Sequence, residues 1–202
     1  NNRNVKVVCS HAGLTVGEDG ASAQCLEDFA IMRVLPNMIV VCPCDYIEAR
    51  KATRAIASHA GPAYMRTGRA PAPILTKDSD PFVIGKANIL KEGKDVTLLA
   101  CGTMVGESLE AAKILNSENI NARVVNMHTI KPIDKNMIMD CVKKTGAIVT
   151  AEEHQIHGGL GGAVSEALAT QCPAPLEMVA VNDTFGESGD PDGLLKKYHL
   201  KA

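Results

Sequence analysis

The feature that most constrains this chain is an alternation: short apolar, β-branched runs separated by stretches with helical spacing. Val5–Cys9, Met38–Cys42 and Ala63–Thr67 read as strands. Ser22 can cap a helix whose stripe includes Leu26, Phe29, Ala30 and Arg33 and which ends before Pro36. Asp45-Tyr-Ile-Glu48 has the form of a capping box for a helix to about His59, stopped by Gly61-Pro62. Arg69-Ala-Pro-Ala-Pro73 and Lys77-Asp-Ser-Asp-Pro81 then read as an extended linker. Beyond it the pattern restarts, with strands at Val96–Cys101, Ala122–Val125, Ala147–Ala151 and Leu176–Val181. Helices are expected at Val105–Leu115, from Asp134 to Lys144, and at Gly161–Ala169. Strands alternating with helices imply parallel sheets covered on both faces. The expected fold is therefore α/β, two three-layer α/β/α units with mostly parallel sheets, joined near residues 68–82. The first unit has three strands, thin for a doubly wound sheet, and is expected to be incomplete at its N-terminus. The opening Asn1-Asn-Arg-Asn4 fits that expectation, as a processed chain or a piece of a longer one. The sheet edge there should then be paired with further chain.

Composition removes several function classes. With 21 basic and 23 acidic residues the net charge is −2, so bulk charge draws no polyanion and nucleic acid is not an expected partner. Aromatics are 3% with no Trp, which argues against base-stacking platforms and membrane belts. No apolar run approaches the roughly 20 residues of a membrane helix. The seven cysteines, at 9, 25, 42, 44, 101, 141 and 172, are odd in number and scattered. They read as buried thiols of a reducing compartment, and the expected location is cytoplasmic. Cys42-Pro-Cys44 lacks the C-x-x-C spacing, so no metal site is expected there.

Function in such sheets gathers in loops after the carboxyl ends of strands. The first is Ser10-His-Ala-Gly-Leu-Thr-Val-Gly-Glu-Asp-Gly20, with His11, Glu18 and Asp19 among glycines. A histidine beside carboxylates can serve acid–base chemistry or bind hydroxyls; on spacing alone, a turn at Asp19-Gly20 and a surface histidine are the better account. Arg66-Thr-Gly-Arg69 follows the third strand and could grip phosphate or carboxylate, or be solvated charge. His154-Gln-Ile-His157 invites a metal, but no third ligand stands at a motif spacing. Gly158-Gly-Leu-Gly-Gly162 resembles an anion loop without the register of one, and close packing of a helix start is the better account. His128 reads as a hydrogen-bonded strand-end residue, and Leu160, Val164 and Leu168 as a core or interface stripe.

Several of these segments carry a resemblance. Gly17-Glu-Asp-Gly20, Gln24, Glu27, Ala30-Ile-Met-Arg33-Val-Leu-Pro36-Asn37, Pro43-Cys-Asp45 and Gly61-Pro-Ala-Tyr-Met-Arg-Thr-Gly-Arg69 stand in the order found in transketolase. Val124-Val-Asn-Met-His-Thr-Ile-Lys-Pro-Ile-Asp134 and Glu152-Glu-His154 resemble that family's carboxyl-terminal domain. Residues 1–76 would then be part of a pyrimidine-binding domain and 77–202 the carboxyl-terminal domain, as in the carboxyl-terminal polypeptide of a split transketolase. The resemblance implies an enzyme that uses thiamine diphosphate and Mg2+ to move a two-carbon ketol unit between sugar phosphates. It implies a partner, the pyrophosphate-binding domain or subunit that holds most of the cofactor, and a homo-oligomer. Carried over by position, His11 would contact the phosphate end of the substrate, Asp19 a sugar hydroxyl, and Arg69 the phosphate itself. Ala23 stands where some relatives have a second histidine beside the reacting carbons. The family's essential glutamate precedes the strand that opens this chain, and Glu18 aligns elsewhere. No catalytic or metal-ligating residue is therefore expected here, the cofactor-binding residues stay unassigned, and the chain alone should not transfer ketol groups. Rival readings are a deoxyxylulose-phosphate synthase, a 2-oxoacid dehydrogenase beta-type subunit, and a non-catalytic assembly or regulatory module.

Overall fold

A computed structural model describes residues 2–202. Nine strands and seven helices are found among the described residues. The first half contains β1 (Lys6–Cys9), α1 (Ala21–Gln24), α2 (Asp28–Val34), β2 (Ile39–Val41), α3 (Tyr46–Ser58) and β3 (Ala63–Arg66). The second contains β4 (Asn88–Lys91), β5 (Val96–Ala100), α4 (Met104–Ser117), β6 (Ala122–Asn126), β7 (Thr129–Lys131), α5 (Lys135–Thr145), β8 (Ile148–Gln155), α6 (Leu160–Gln171), β9 (Leu176–Val181) and α7 (Pro191–Lys197).

The strands form two sheets, ordered β1-β3-β2-β7 and β4-β6-β5-β8-β9. Pairing is parallel except at β7 on β2 and β4 on β6, as the expected mostly parallel α/β fold requires. The fourth strand of the first sheet was not expected. It comes from the second half: Thr129 and Lys131 pair with Val41 and Val40. Three residues give too short a periodicity to be read as a strand, and their partner lies about ninety residues away in sequence. The two sheets also share one core. Phe29, Val40 and Tyr64 from one side pack in the same cluster as Leu99, Val125, Met127, Ile138 and Leu160 from the other. At the far edge of the first sheet Val8 remains half exposed.

The helix expected from Ser22 to before Pro36 is in fact two. The chain breaks at Cys25, which takes a left-handed conformation with φ 41°, and Ser22 lies inside α1 rather than capping it. Tertiary contacts override the stripe: the Leu26 carbonyl accepts from Gln155 N–H of β8, while Gln24 is buried with its amide donating to the Glu187 carbonyl. Cys25 is consequently exposed, an exception among the expected buried thiols.

The caps at Asp45 and Asp134 form as expected, accepting from Glu48 and Met137 N–H. Glu48 reaches back to Cys44 N–H, one residue earlier than a standard capping box. Asp45 does more than cap. It also accepts from Leu75 N–H at 2.7 Å, Thr76 N–H at 2.6 Å and the Thr76 hydroxyl, and so pins the linker to the start of α3. Burial alone would raise its carboxyl, yet these N–H donors hold it below its ordinary value.

Candidate active-site cleft

A cleft of about 340 Å³ opens between the two sheets. Its wall is made of residues that follow strand carboxyl ends: Ala12 after β1, Cys42 to Asp45 after β2, Thr67 and Gly68 after β3, and Cys101 to Thr103 after β5. That is where an open α/β sheet presents its loops.

Beneath it lies a buried polar group. Arg66 ends β3 and pairs with Asp28 at 2.9 Å, both side chains about 5% exposed or less. Tyr64 donates its hydroxyl to the other Asp28 oxygen at 2.6 Å, and the Arg66 guanidinium lies 4.6 Å over the Phe29 ring. Burial would lower the Arg66 pKa, but Asp28 and the acidic and thiol groups around it hold it above the ordinary value. Arg66 is thus neither a free anion grip nor a solvated charge; it is consumed internally. Glu153 is buried beside it. Its carboxylate accepts from Thr15 N–H, from the Thr15 hydroxyl at 3.1 Å and from the Thr103 hydroxyl at 2.7 Å.

The loop after β1 is more ordered than its glycines indicate, because Leu14–Asp19 forms 3-10 turns with Leu14 to Gly17 buried. Asp19 and Arg69 come together at the end of this segment. Arg69 Nη1 donates to the Val16 carbonyl at 2.6 Å and lies 3.5 Å from both Asp19 and Glu18. Arg69 is 39% exposed and Asp19 50%, so the pair retains access to solvent. His11 belongs to the neighbouring strand end, with Cys9 and Arg66 in register between β1 and β3. It is exposed, left-handed at φ 62°, and its Nδ1 shares a hydrogen with Ser10 Oγ at 2.8 Å. Ala23 is half buried.

The remaining sequence candidates have structural roles. Gly158 to Gly162 does cradle an anion, but an internal one: Leu160 and Gly161 N–H donate to the Glu152 carboxylate at 2.6 and 2.8 Å. A Cβ on Gly159 would fall on Glu152 Oε2. Burial pushes the Glu152 carboxyl up to about 7 despite these donors. His154 is buried in β8 and stacks on Phe29 at 5.0 Å, whereas His157 is exposed, so the two do not converge on one ion. His128 stacks on Phe82 at 4.2 Å and bonds Thr129 at 3.0 Å; burial lowers it to about 4. The buried roles of Asp28, Arg66 and Glu153 are not legible in the sequence, where Arg66 reads as an anion grip or solvated charge, because they depend on contacts between distant segments.

Among the described residues no group of three or more His, Cys, Asp or Glu side chains is placed to hold a metal ion. Phe29 and Phe82 are taken up in histidine stacks, and Phe185 is 82% exposed. The described residues do not by themselves fit a metal-bound diphosphate, while Phe29 and Tyr46 line the cleft. No helix is long and apolar enough to cross a membrane among the described residues.

Family models match nearly the whole chain: "Transketolase, pyrimidine binding domain" over residues 1–73 and "Transketolase, C-terminal domain" over 85–202. A 6-deoxy-6-sulfo-D-fructose transketolase subunit of a Clostridium species is 45% identical over 98% of this chain and 62% of its own length. Human transketolase is 37% identical over 98% of this chain and 32% of its own. A solved structure described as a split gene transketolase, inactive beta4 tetramer, superposes with a TM-score of 0.91 at 48% identity, over 98% of this chain and 63% of that one. The chain thus spans less than two thirds of the length of these relatives. With both family models matched in order and the fold reproduced, the chain belongs to the transketolase family.

Proposed function

We propose that this chain contributes sugar-phosphate-binding residues to a thiamine-diphosphate-dependent transketolase, which moves a two-carbon ketol unit between phosphorylated sugars. The observation that carries the reading is the solvent-accessible Asp19–Arg69 pair, with Arg69 between the cleft-lining Gly68 and Ala70 and His11 next to the cleft-lining Ala12. A forked cation suits a terminal phosphate and a carboxylate suits a sugar hydroxyl. Arg69 would grip the phosphate, His11 its end of the sugar, and Asp19 a hydroxyl. The boundary near residue 76 would separate the pyrimidine-binding part from the carboxyl-terminal domain.

The cofactor, its Mg2+ and the essential glutamate would come from outside these residues, through a pyrophosphate-binding subunit or domain. The related split enzyme described as an inactive tetramer supports both parts of this reading, inactivity alone and self-association. Seven free cysteines support a reducing, cytoplasmic setting. The Clostridium relative is named for a sulfonated sugar, and a guanidinium accepts sulfonate as it does phosphate, so the anion class is better supported than the sugar.

The experiment is ketol transfer from xylulose 5-phosphate to ribose 5-phosphate with thiamine diphosphate and magnesium. The chain is assayed alone and with a pyrophosphate-binding subunit. Silence alone and activity in the assembly support the proposal. Activity from the isolated chain refutes the external glutamate, and an inactive assembly with sugar phosphates but turnover with pyruvate moves the chain to another thiamine enzyme.

A further inference from the structure

We infer that Glu153, from the second half of the chain, is the positioning residue for the substrate-binding loop of the first half. The inference rests on the roles of Asp19 and Arg69 proposed above. Glu153 is buried, and both its carboxylate oxygens are committed: one to Thr15 N–H, the other to the Thr15 and Thr103 hydroxyls. Thr15 lies in the 3-10 segment that ends at Asp19. The next residue, Val16, directs its carbonyl at Arg69 Nη1. Fixing Thr15 therefore fixes the acceptor that orients Arg69 and the segment that brings Asp19 to it.

The loop also passes too close to this anchor for any side chain to intervene. Gly13 has φ +97°, and a Cβ there would meet Arg66 Nη2 at 2.6 Å as well as the Glu153 carboxyl. The Glu153 carbonyl in turn accepts from Arg66 Nη2, so the buried Arg66–Asp28 pair holds the anchor in place. Loss of a contact that holds ground state and transition state equally raises KM and leaves kcat unchanged, and a loop that grips the phosphate end of the sugar supplies a contact of that kind. The carboxyl-terminal half thus sets substrate affinity without touching the reacting atoms.

The test is steady-state kinetics of the chain assembled with its pyrophosphate-binding subunit, alongside amide hydrogen exchange of the same assembly. Glu153→Asp keeps the carboxyl group and shortens its reach by one methylene. Glu153→Gln keeps the reach; its oxygen can accept from Thr15 N–H while its NH2 donates to the two hydroxyls. Glu153→Asp is expected to raise KM for the phosphorylated sugar about tenfold with kcat within about twofold, and Glu153→Gln to keep KM within about threefold of wild type. Exchange across residues 13–19 should quicken in Glu153→Asp and not in Glu153→Gln. A wild-type KM in Glu153→Asp, with kcat falling in step with the folded fraction, overturns the inference. If the wild-type assembly transfers no ketol unit, the proposed function fails separately. The exchange data then decide the anchor alone, and unchanged protection of residues 13–19 in Glu153→Asp refutes it.

Discussion

Removing the Asp28 carboxylate should cost far more stability than removing Asp28 and Arg66 together. In Asp28→Ala the Arg66 guanidinium, about 5% exposed, keeps its burial and loses its counter-charge at 2.9 Å. Breaking one partner of a buried pair costs about 3–5 kcal/mol. The Tyr64 hydroxyl also loses its acceptor at 2.6 Å, which pushes the value toward the upper end of that range. In urea, with m about 3 kcal/mol per M for a chain of this size, the unfolding midpoint should fall by about 1–1.7 M. Thermal unfolding should shift by roughly 6–20 °C, at about 2–4 °C per kcal/mol. In Asp28→Ala/Arg66→Met the buried charge is gone and Met can lie on the Phe29 face that the guanidinium now covers. At least half the lost stability should return. The assay is equilibrium unfolding followed by far-ultraviolet circular dichroism for the wild type, both single variants and the double. A loss below about 1 kcal/mol in Asp28→Ala, or a double variant no better than the single, would show that the guanidinium finds water or other acceptors.

Other expectations follow from the same contacts. Glu152, raised to about 7 by burial, is protonated more readily folded than unfolded; its contribution to stability is complete below about pH 4.5 and is lost as pH rises through about 7. Glu152→Gln should flatten that slope in melting temperatures recorded from pH 5 to 7.5, and an unaltered slope would assign it to another group. Asp45→Ala should cost about 2 kcal/mol through loss of the cap and the linker bonds, and limited proteolysis should then cut between residues 69 and 81 in folded protein. Gly159→Ala must displace the Glu152 carboxylate, whereas Gly146→Ala meets nothing within 4 Å and bears only a left-handed φ of 75°. Gly146→Ala should cost about 1 kcal/mol and Gly159→Ala several times that; equal melting temperatures would mean that the Glu152 cradle relaxes freely.

What could be read ahead of the structure was what is local. Val96–Ala100 and Leu176–Val181 announce themselves as short apolar runs, and α3 and α5 by aspartate caps, because these signals depend on a few adjacent residues. Asp190-Pro191 is an equally local signal for α7, with the aspartate capping the helix and the proline at its first position. The break at Cys25 was not legible, since it is imposed by Leu26 and Gln24 bonding to segments over a hundred residues away. In the site, His11, Asp19 and Arg69 stood out through the family motif. Arg66 shared the same tetrapeptide as Arg69, and nothing in it distinguishes the buried arginine from the accessible one; Asp28 and Tyr64 do that in three dimensions.

The antiparallel seat of β7 on β2 has a consequence for how the chain is made. Until residues 129–131 have left the ribosome, β2 is an open edge and the core beneath it lacks Val125, Met127, Ile130 and Ile138. The first sheet therefore cannot close as the amino-terminal half emerges. It must wait, with an unsatisfied strand, for a segment far downstream. Folding should be late and cooperative across both halves, and a chain severed in the linker should yield two fragments that are each poorly folded alone yet complement one another when mixed.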